Sequence, residues 1–307
     1  MPIAYISHPE CALHDMGPHP EQPARLSAIE QRLIDSGLDQ HLQHHLAPEV
    51  DQALLALAHD PAYLAQLRRM APDSGLVQLD PDTSMNPHSL SAALHAAGAS
   101  QLAVDLVMQG KTKQAFCAVR PPGHHAERGR AMGFCLLNNI ALAAYHALHN
   151  HGLKRVAIVD FDVHHGNGTE DIVQGDERIL FCSTFQHPFY PHSGSQPSAD
   201  NVINTPLAAG SDSKDFRSAV ERDWLPALED FKPELLLVSA GFDAHQEDEM
   251  ANLNLVDEDF AWVSRKIFHQ AERSAAGRIV SSLEGGYHLQ ALARSVEAHL
   301  RAFLSDA

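Results

Sequence analysis

Short runs of consecutive apolar residues alternate with longer stretches in which apolar positions recur every three or four residues. The runs fall at 4–7 (AYIS), 115–119 (AFCAV), 155–162 (RVAIVDFD), 179–185 (ILFCSTF), 234–243 (ELLLVSAGFD) and 278–286 (RIVSSLEGG). Several are apolar at successive rather than alternating positions, the pattern of strands covered on both faces. The helical period occupies about 21–36, 51–70, 88–109, 135–151, 214–231, 257–275 and 288–304. This alternation predicts βαβ units and an α/β fold, a mainly parallel sheet flanked by helices on both faces. No break in composition divides the chain, so a single domain over 1–307 is expected.

Ligands of such sheets bind beyond the carboxyl ends of the strands. The strand endings therefore carry the chemical interest. RVAIVDFD runs into DVHHGNG, ELLLVSAGFD ends in Asp243, RIVSSLEGG leads to Tyr287, and AFCAV runs into RPPGHHAERG. Asp160, Asp162 and His164 stand at i, i+2 and i+4, one face of an extended strand. Three polar groups on one face of an apolar strand are costly unless compensated. A divalent cation such as zinc would compensate them. The same residues also read as a solvated loop after a strand that stops at Asp160. Asp243 would complete a two-Asp, one-His set with open coordination positions, the pattern of a catalytic metal rather than a closed structural one. An Asp at a strand end also serves as an ordinary turn former. His124 and His125 are adjacent, so at least one stays neutral near pH 7 and can act as a general base. In a chain with 22 histidines they also read as surface loop residues. Gly285 and Gly286 permit close backbone approach before Tyr287, whose hydroxyl could donate to a developing oxyanion or simply pack at a sheet edge.

Composition narrows the function classes. A net charge of -17 over 307 residues disfavours nucleic acid and anionic membrane surfaces as direct ligands. No uncharged apolar run reaches the ~18 residues of a membrane span. The N-terminus lacks the basic and apolar regions of a signal peptide, and a cytoplasmic address is expected. Cys11, Cys117, Cys135 and Cys182 form no CxxC pair and read as packed free thiols. Cys11 falls in a loop near the expected site mouth, where packing is favoured over redox sensitivity.

RPPGHHAERGRAMGFC, VDFDVHHGNGT, SAGFDAH and LEGGYHL resemble, in order and spacing, the signature segments of the histone deacetylase family, which includes acetylpolyamine amidohydrolases and bacterial deacetylase-like proteins. HPEQPARLSAI and DPDTSMNPHSLSAALHAAG resemble its N-terminal segments, so the likeness spans roughly residues 3–300. The combination is specific where each motif alone is weak. The HPE segment, with Asn167 where other members have Asp, is similar to the class II branch. The resemblance implies the arginase-deacetylase fold. It implies zinc on Asp162, His164 and Asp243, with Fe2+ as an alternative occupant of so hard a ligand set. It implies His125 as general base and then acid, His124 as its electrostatic partner oriented by Asp160, and Asn167 as the residue orienting His125. Tyr287 would bind the substrate carbonyl. Gly133, Phe134, Tyr190, Gly286 and Met250 would contact substrate, and Asp160, Asp162, His164, Ser183 and Thr184 would hold K+. The activity implied is deacetylation of an acyl-lysine protein or peptide. An acetylated polyamine is the nearest rival substrate, because Glu247, Asp248 and Glu249 stand beside Met250. A catalytically silent acyl-lysine binder would lack a ligand, the base or the Tyr, and none is missing.

Overall fold

The computed structural model describes residues 1–304. Its strands are β1 (Ile3–Ser7), β2 (Leu42–Leu46), β3 (Val77–Asp80), β4 (Thr83–Met85), β5 (Gln114–Cys117), β6 (Val156–Asp160), β7 (Ile179–Gln186), β8 (Val202–Leu207), β9 (Leu235–Ala240) and β10 (Ile279–Leu283). Eight of them form one sheet in the order β2-β1-β5-β10-β9-β6-β7-β8, with every neighbouring pair parallel. β3 and β4 make a separate antiparallel hairpin. The expected parallel α/β architecture is thus observed. β5, β6, β7, β9 and β10 are buried along their whole length, which explains their unbroken apolar pattern.

The helices are α1 (Pro9–Leu13), α2 (Ala24–Asp35), α3 (Gln52–Ala58), α4 (Pro61–Met70), α5 (Ser89–Met108), α6 (Asn139–His149), α7 (Asn167–Val173), α8 (Ser213–Ala219), α9 (Leu225–Phe231), α10 (Asp257–Ser274) and α11 (Leu289–Leu304). α5 and α6 pack together on the central strands; α10 packs on β9 and α11, and α11 on α2. By length and composition alone α5 could cross a membrane, but more than half of it is buried here, against α1, α6 and the sheet. It is a core helix of this fold.

Several sequence boundaries shift for identifiable reasons. The helix expected over 51–70 is two helices, because Pro61 lacks the amide that would continue the first, and it starts the second instead. The helix expected from 135 begins at Asn139, where the Asn138 side chain caps Ala141 N. The edge strands β2 (LQHHL) and β8 (VINTPL), the hairpin, α1 and α7 escape the apolar pattern because they are short and partly polar. The strand expected to reach Asp162 stops at Asp160, so Asp162 and His164 do not share a strand face. They lie in the following loop, and that loop is buried rather than solvated.

Candidate active site

All eight parallel strands present their carboxyl ends to one edge, and the polar strand endings meet there. Asp160, the last residue of β6, lies in register with Ser183 of β7 and Ser239 of β9. The chain then folds through a loop held by its own carboxylates. Asp162 N donates to Asp160 Oδ1 (3.1 Å) and His164 N to Asp162 Oδ1 (2.9 Å). Two further amides tie the neighbouring loops in: Val163 N donates to Asp243 Oδ1 (2.9 Å) and Gly285 N to Asp162 Oδ2 (2.8 Å).

Asp162, His164 and Asp243 are all buried, and their donor atoms lie within 4.8 Å of one another. His164 Nδ1 is 3.1 Å from Asp162 Oδ1 and 3.2 Å from Asp243 Oδ2. Among the described residues, Asp243 Oδ2 has no properly oriented hydrogen-bond donor, although it is sealed from water. A buried carboxylate oxygen left without a donor beside a second carboxylate and an imidazole is what a divalent cation satisfies. The surrounding glycines leave room for these groups. A Cβ on Gly241 would lie 2.1 Å from Asp162 Oδ2, and one on Gly285 would lie 2.1 Å from Asp243 Oδ2. The residues therefore fit a metal of the zinc class. Burial, reinforced by the Asp162 charge, raises the Asp243 carboxyl to about 6, whereas the His124 and His164 charges hold Asp162 below the usual range despite burial. Burial would lower His164, but the carboxylates of Asp162 and Asp243 outweigh it and raise it to about 10.

The paired histidines have distinct surroundings. His124 Nδ1 meets Asp160 Oδ2 at 3.0 Å, and Asp162 Oδ2 lies 3.7 Å from its Nε2. Burial opposes protonation of His124, yet the Asp162 and Asp160 charges prevail and raise it to about 10. His125 Nδ1 meets Asn167 Oδ1 at 2.7 Å, while Asn167 Nδ2 donates to Glu127 Oε1 at 2.8 Å. Because the carboxylate fixes which end of the Asn167 amide faces His125, the imidazole carries its proton on Nδ1 and keeps the Nε2 lone pair free. Burial and the neighbouring His124 and His164 hold His125 well below the ordinary imidazole range.

A cavity of about 330 Å³ leads to these groups, lined by His125, Gly133, Phe134, His164, Tyr190, Met250 and Tyr287 together with His19, Asp82 and Phe189. Phe134 stands edge-on to Tyr287, with centroids 5.9 Å apart, and adopts a left-handed φ of 68°. A β-carbon on Gly133 would lie 2.3 Å from the His125 ring, so the backbone lies directly against that imidazole. Gly286, with φ 118°, packs toward Leu292 and Phe242 rather than lining the cavity. Ser183 and Thr184 are buried on β7, and the Ser183 hydroxyl finds no hydrogen-bond partner among the described residues. Cys11 lies in α1 rather than in a mouth loop; it is buried, as are the other three free cysteines, and burial pushes its thiol up to about 11.

Sequence reasoning missed the scaffold behind Tyr287. Arg25 lies over the Tyr287 ring, 4.9 Å from its centroid, donates from Nε to Gly286 O (2.6 Å) and also donates to Glu284 O. Glu21 joins Arg25 to Arg120 in a fully buried network, with Arg120 donating twice to its carboxylate (2.5 and 2.6 Å). Glu284 Oε2 accepts from Gly123 N and His124 N, which pins the histidine loop to the end of β10; burial raises its carboxyl to about 7. Asp248 Oδ2 accepts from Tyr287 N (2.6 Å) and His288 N (3.0 Å). Arg25, Glu21 and Glu284 lie within the HPEQPARLSAI and LEGGYHL segments, so the motifs contained them without assigning them work.

With this fold and this convergence in view, the comparisons define the class: residues 19–303 match the histone deacetylase domain, and the chain belongs to the histone deacetylase family. It is similar to histone deacetylase 14, chloroplastic, of Arabidopsis thaliana (36% identity, covering 95% of this chain and 74% of that protein) and to the histone deacetylase-like amidohydrolase of Pseudomonas aeruginosa (36%, covering 88% and 72%). It is also similar to the human polyamine deacetylase HDAC10 (35%), covering 97% of this chain but 45% of that protein. Among solved structures, the crystal structure of the HDA15 HD domain superposes with a TM-score of 0.90 at 32% identity, covering 98% of this chain and 90% of that one.

Proposed function

We propose that this chain is a metal-dependent amidohydrolase that removes acetyl or other short acyl groups from lysine side chains of proteins or peptides. The observation that carries the reading is the meeting of Asp162, His164 and Asp243 at the base of a cavity whose walls present the His125 imidazole and Tyr287. Asp162, His164 and Asp243 would hold zinc, with Fe2+ an alternative in the cell. Such a cation, when bound, supplies a Lewis acid for the amide carbonyl and lowers the pKa of water toward ~7.

The chain's own groups account for the remaining steps. Nε2 of His125 accepts a proton from the attacking water, as its neutral state and fixed tautomer allow, and then returns it to the departing lysine amine. Asn167 fixes the Nδ1 proton without offering a carboxylate, so it orients His125 without raising its basicity as strongly as an Asp would. His124, whose charged form the Asp162 and Asp160 carboxylates favour and whose ring Asp160 orients, would act as the electrostatic partner of His125. Tyr287 donates its hydroxyl to that oxygen. Gly133, Phe134 and Tyr190 flank the aliphatic stem of the substrate, and Gly286 shapes the turn that presents Tyr287. Asp160, Asp162, His164, Ser183 and Thr184 would hold a K+ ion; the unpartnered Ser183 hydroxyl supports that placement.

A polyamine substrate would require a carboxylate at the mouth for its second ammonium. Glu247 is engaged by Arg294 (2.6 Å) and Asp248 by two backbone amides, while Met250 occupies the cavity wall. The exposed Glu249 and the cavity-lining Asp82 remain as carboxylates for that role, so the preference for acyl-lysine rests on the apolar Met250 at the cavity wall. The cytoplasm is the proposed compartment, although the name of the Arabidopsis relative assigns that protein to the chloroplast. Turnover of acetyl-lysine peptides against N-acetylspermidine and N-acetylputrescine by the zinc-loaded chain tests the reading. Preference for the peptides is expected. Preference for the polyamines would reverse the substrate assignment, and inactivity on all of them would remove the amidohydrolase.

A further inference from the structure

Away from the cavity, the C-terminal ends of α5 and α6 meet at a second group of metal-ligating side chains. Asp105 lies in the last turn of α5, His146 lies in the last turn of α6, and His151 follows the residue that caps α6, Asn150. Both imidazoles direct Nε2 at the same oxygen, Asp105 Oδ1, each at 2.7 Å. The two rings are 5.2 Å apart and nearly perpendicular. The candidate donor atoms of the three residues lie within 4.8 Å of one another. The His146 side chain is 5% exposed, Asp105 31% and His151 19%, so the group is rooted in the core and open to water on one side.

We propose that Asp105, His146 and His151 form a second divalent-cation site, of the zinc class, that clamps the ends of α5 and α6. The plain alternative is a carboxylate accepting two neutral imidazole N–H bonds. The geometry supports both states, and little movement separates them. Ligands around a tetrahedral zinc stand about 3.4 Å apart when the bonds are about 2.05 Å, so each imidazole would retreat by about 0.7 Å. Each would shift its proton to Nδ1 and present the Nε2 lone pair, a change of tautomer without a change of charge. Water from the open side would complete the coordination. Two imidazoles and one carboxylate select zinc, cobalt or nickel over magnesium and calcium, which want oxygen donors. The ends of both helices direct their negative dipole poles toward the group, and the chain's charge of -17 adds to the attraction for a cation.

The position gives such a site a structural role. At the other end of α6, Asn138 Nδ2 donates to Ala126 O (3.2 Å) and Asn139 Nδ2 to Pro121 O (3.3 Å), so the helix supports the loop carrying His124 and His125. A helix of 11 residues is about 16 Å long. The clamp therefore acts on the scaffold of the cavity without touching substrate.

The test is calorimetric titration of the metal-stripped chain with Zn2+ alone, comparing the wild type with His151→Ala and Asp105→Asn. The wild type is expected to bind one equivalent more than either variant, and Zn2+ is expected to raise its melting temperature by more. Replacing Zn2+ with Co2+ should give a visible d–d spectrum whose intensity falls by one site in the variants. Asp105→Asn keeps the side-chain shape and serves if His151→Ala misfolds. Equal stoichiometry in all three chains, or an extra equivalent that survives both substitutions with less than ~10-fold weakening, overturns the proposal. The reading is a difference between chains, so it stands or falls independently of whether the cavity proves to be a deacetylase site.

Discussion

Replacing Gly285 by Ala tests the claim that Asp162 and Asp243 act together on one cation. The added β-carbon would lie 2.1 Å from Asp243 Oδ2 and 2.6 Å from Asp162 Oδ2, whereas ordinary contact begins at 3.4 Å. The Asp243 carboxylate must therefore withdraw by about 1.3 Å, several times the ~0.2 Å tolerance of metal–ligand distances. Gly285 does not occupy the left-handed region, so Ala fits the backbone, and its amide can still donate to Asp162 Oδ2. The cost to the fold is the overpacking of one methyl, ~1–3 kcal/mol, a small downward shift of the melting temperature. Loss of a supporting contact alone weakens metal binding 10–100-fold, and displacing a ligand should exceed ~100-fold. Competition with a chromophoric zinc chelator reads the affinity, and a circular-dichroism melt confirms that the chain is folded. Gly129→Ala is the control, because its β-carbon meets nothing closer than Asp60 Oδ2 at 3.5 Å. A folded Gly285→Ala chain with wild-type zinc affinity would refute the shared-cation geometry.

Tyr287→Phe should retain zinc yet lose turnover by ~100-fold or more, the effect of removing one oxyanion donor; near-normal kcat would remove Tyr287 from that role. Arg120→Met should cost ~3–5 kcal/mol in urea unfolding, because Glu21 is fully buried and would keep only its weaker partners. A loss under ~1 kcal/mol would show that the network is already relaxed. His299 is buried between Ser264 Oγ (2.6 Å) and Ser281 Oγ (3.0 Å), and burial lowers its pKa to about 3. Below the unfolded pKa of about 6.5 the unfolded chain gains a proton that the folded chain refuses, so this contribution is complete above pH 6.5 and declines as pH falls toward 3. Between pH 7 and pH 5 the wild type should lose ~2 kcal/mol more than His299→Gln in urea melts, and parallel losses would contradict the assignment.

The sheet was legible because its central strands are apolar on both faces, a signal that burial writes directly into residue type. The flanks were not: β2 exposes Gln43 and His44 and leaves His45 half-buried, β8 contains a proline, and neither carries the continuous pattern. At the site, the candidate metal-ligand set Asp162, His164 and Asp243, both histidines and Tyr287 were all visible as polar residues ending apolar runs. The route that joins Asp160 to His164 is neither the single strand face nor the solvated loop that the sequence allows, because alternation also fits a buried loop whose amides bond its own carboxylates. Arg25, Glu21 and Glu284 stayed unassigned for the opposite reason. A buried charge is recognised by its partners, and Arg25 lies 261 residues from the Gly286 carbonyl it holds. Glu127 likewise acts on His125 only through Asn167.

The loop amides of Val163 and Gly285 are each bonded to a carboxylate from a different segment, Asp243 and Asp162. These two bonds register the three segments on one another through main-chain amides that belong to the fold itself. A cation at the three side chains would then require little further ordering of the chain, and exchange of those two amide hydrogens should be slow in metal-stripped protein.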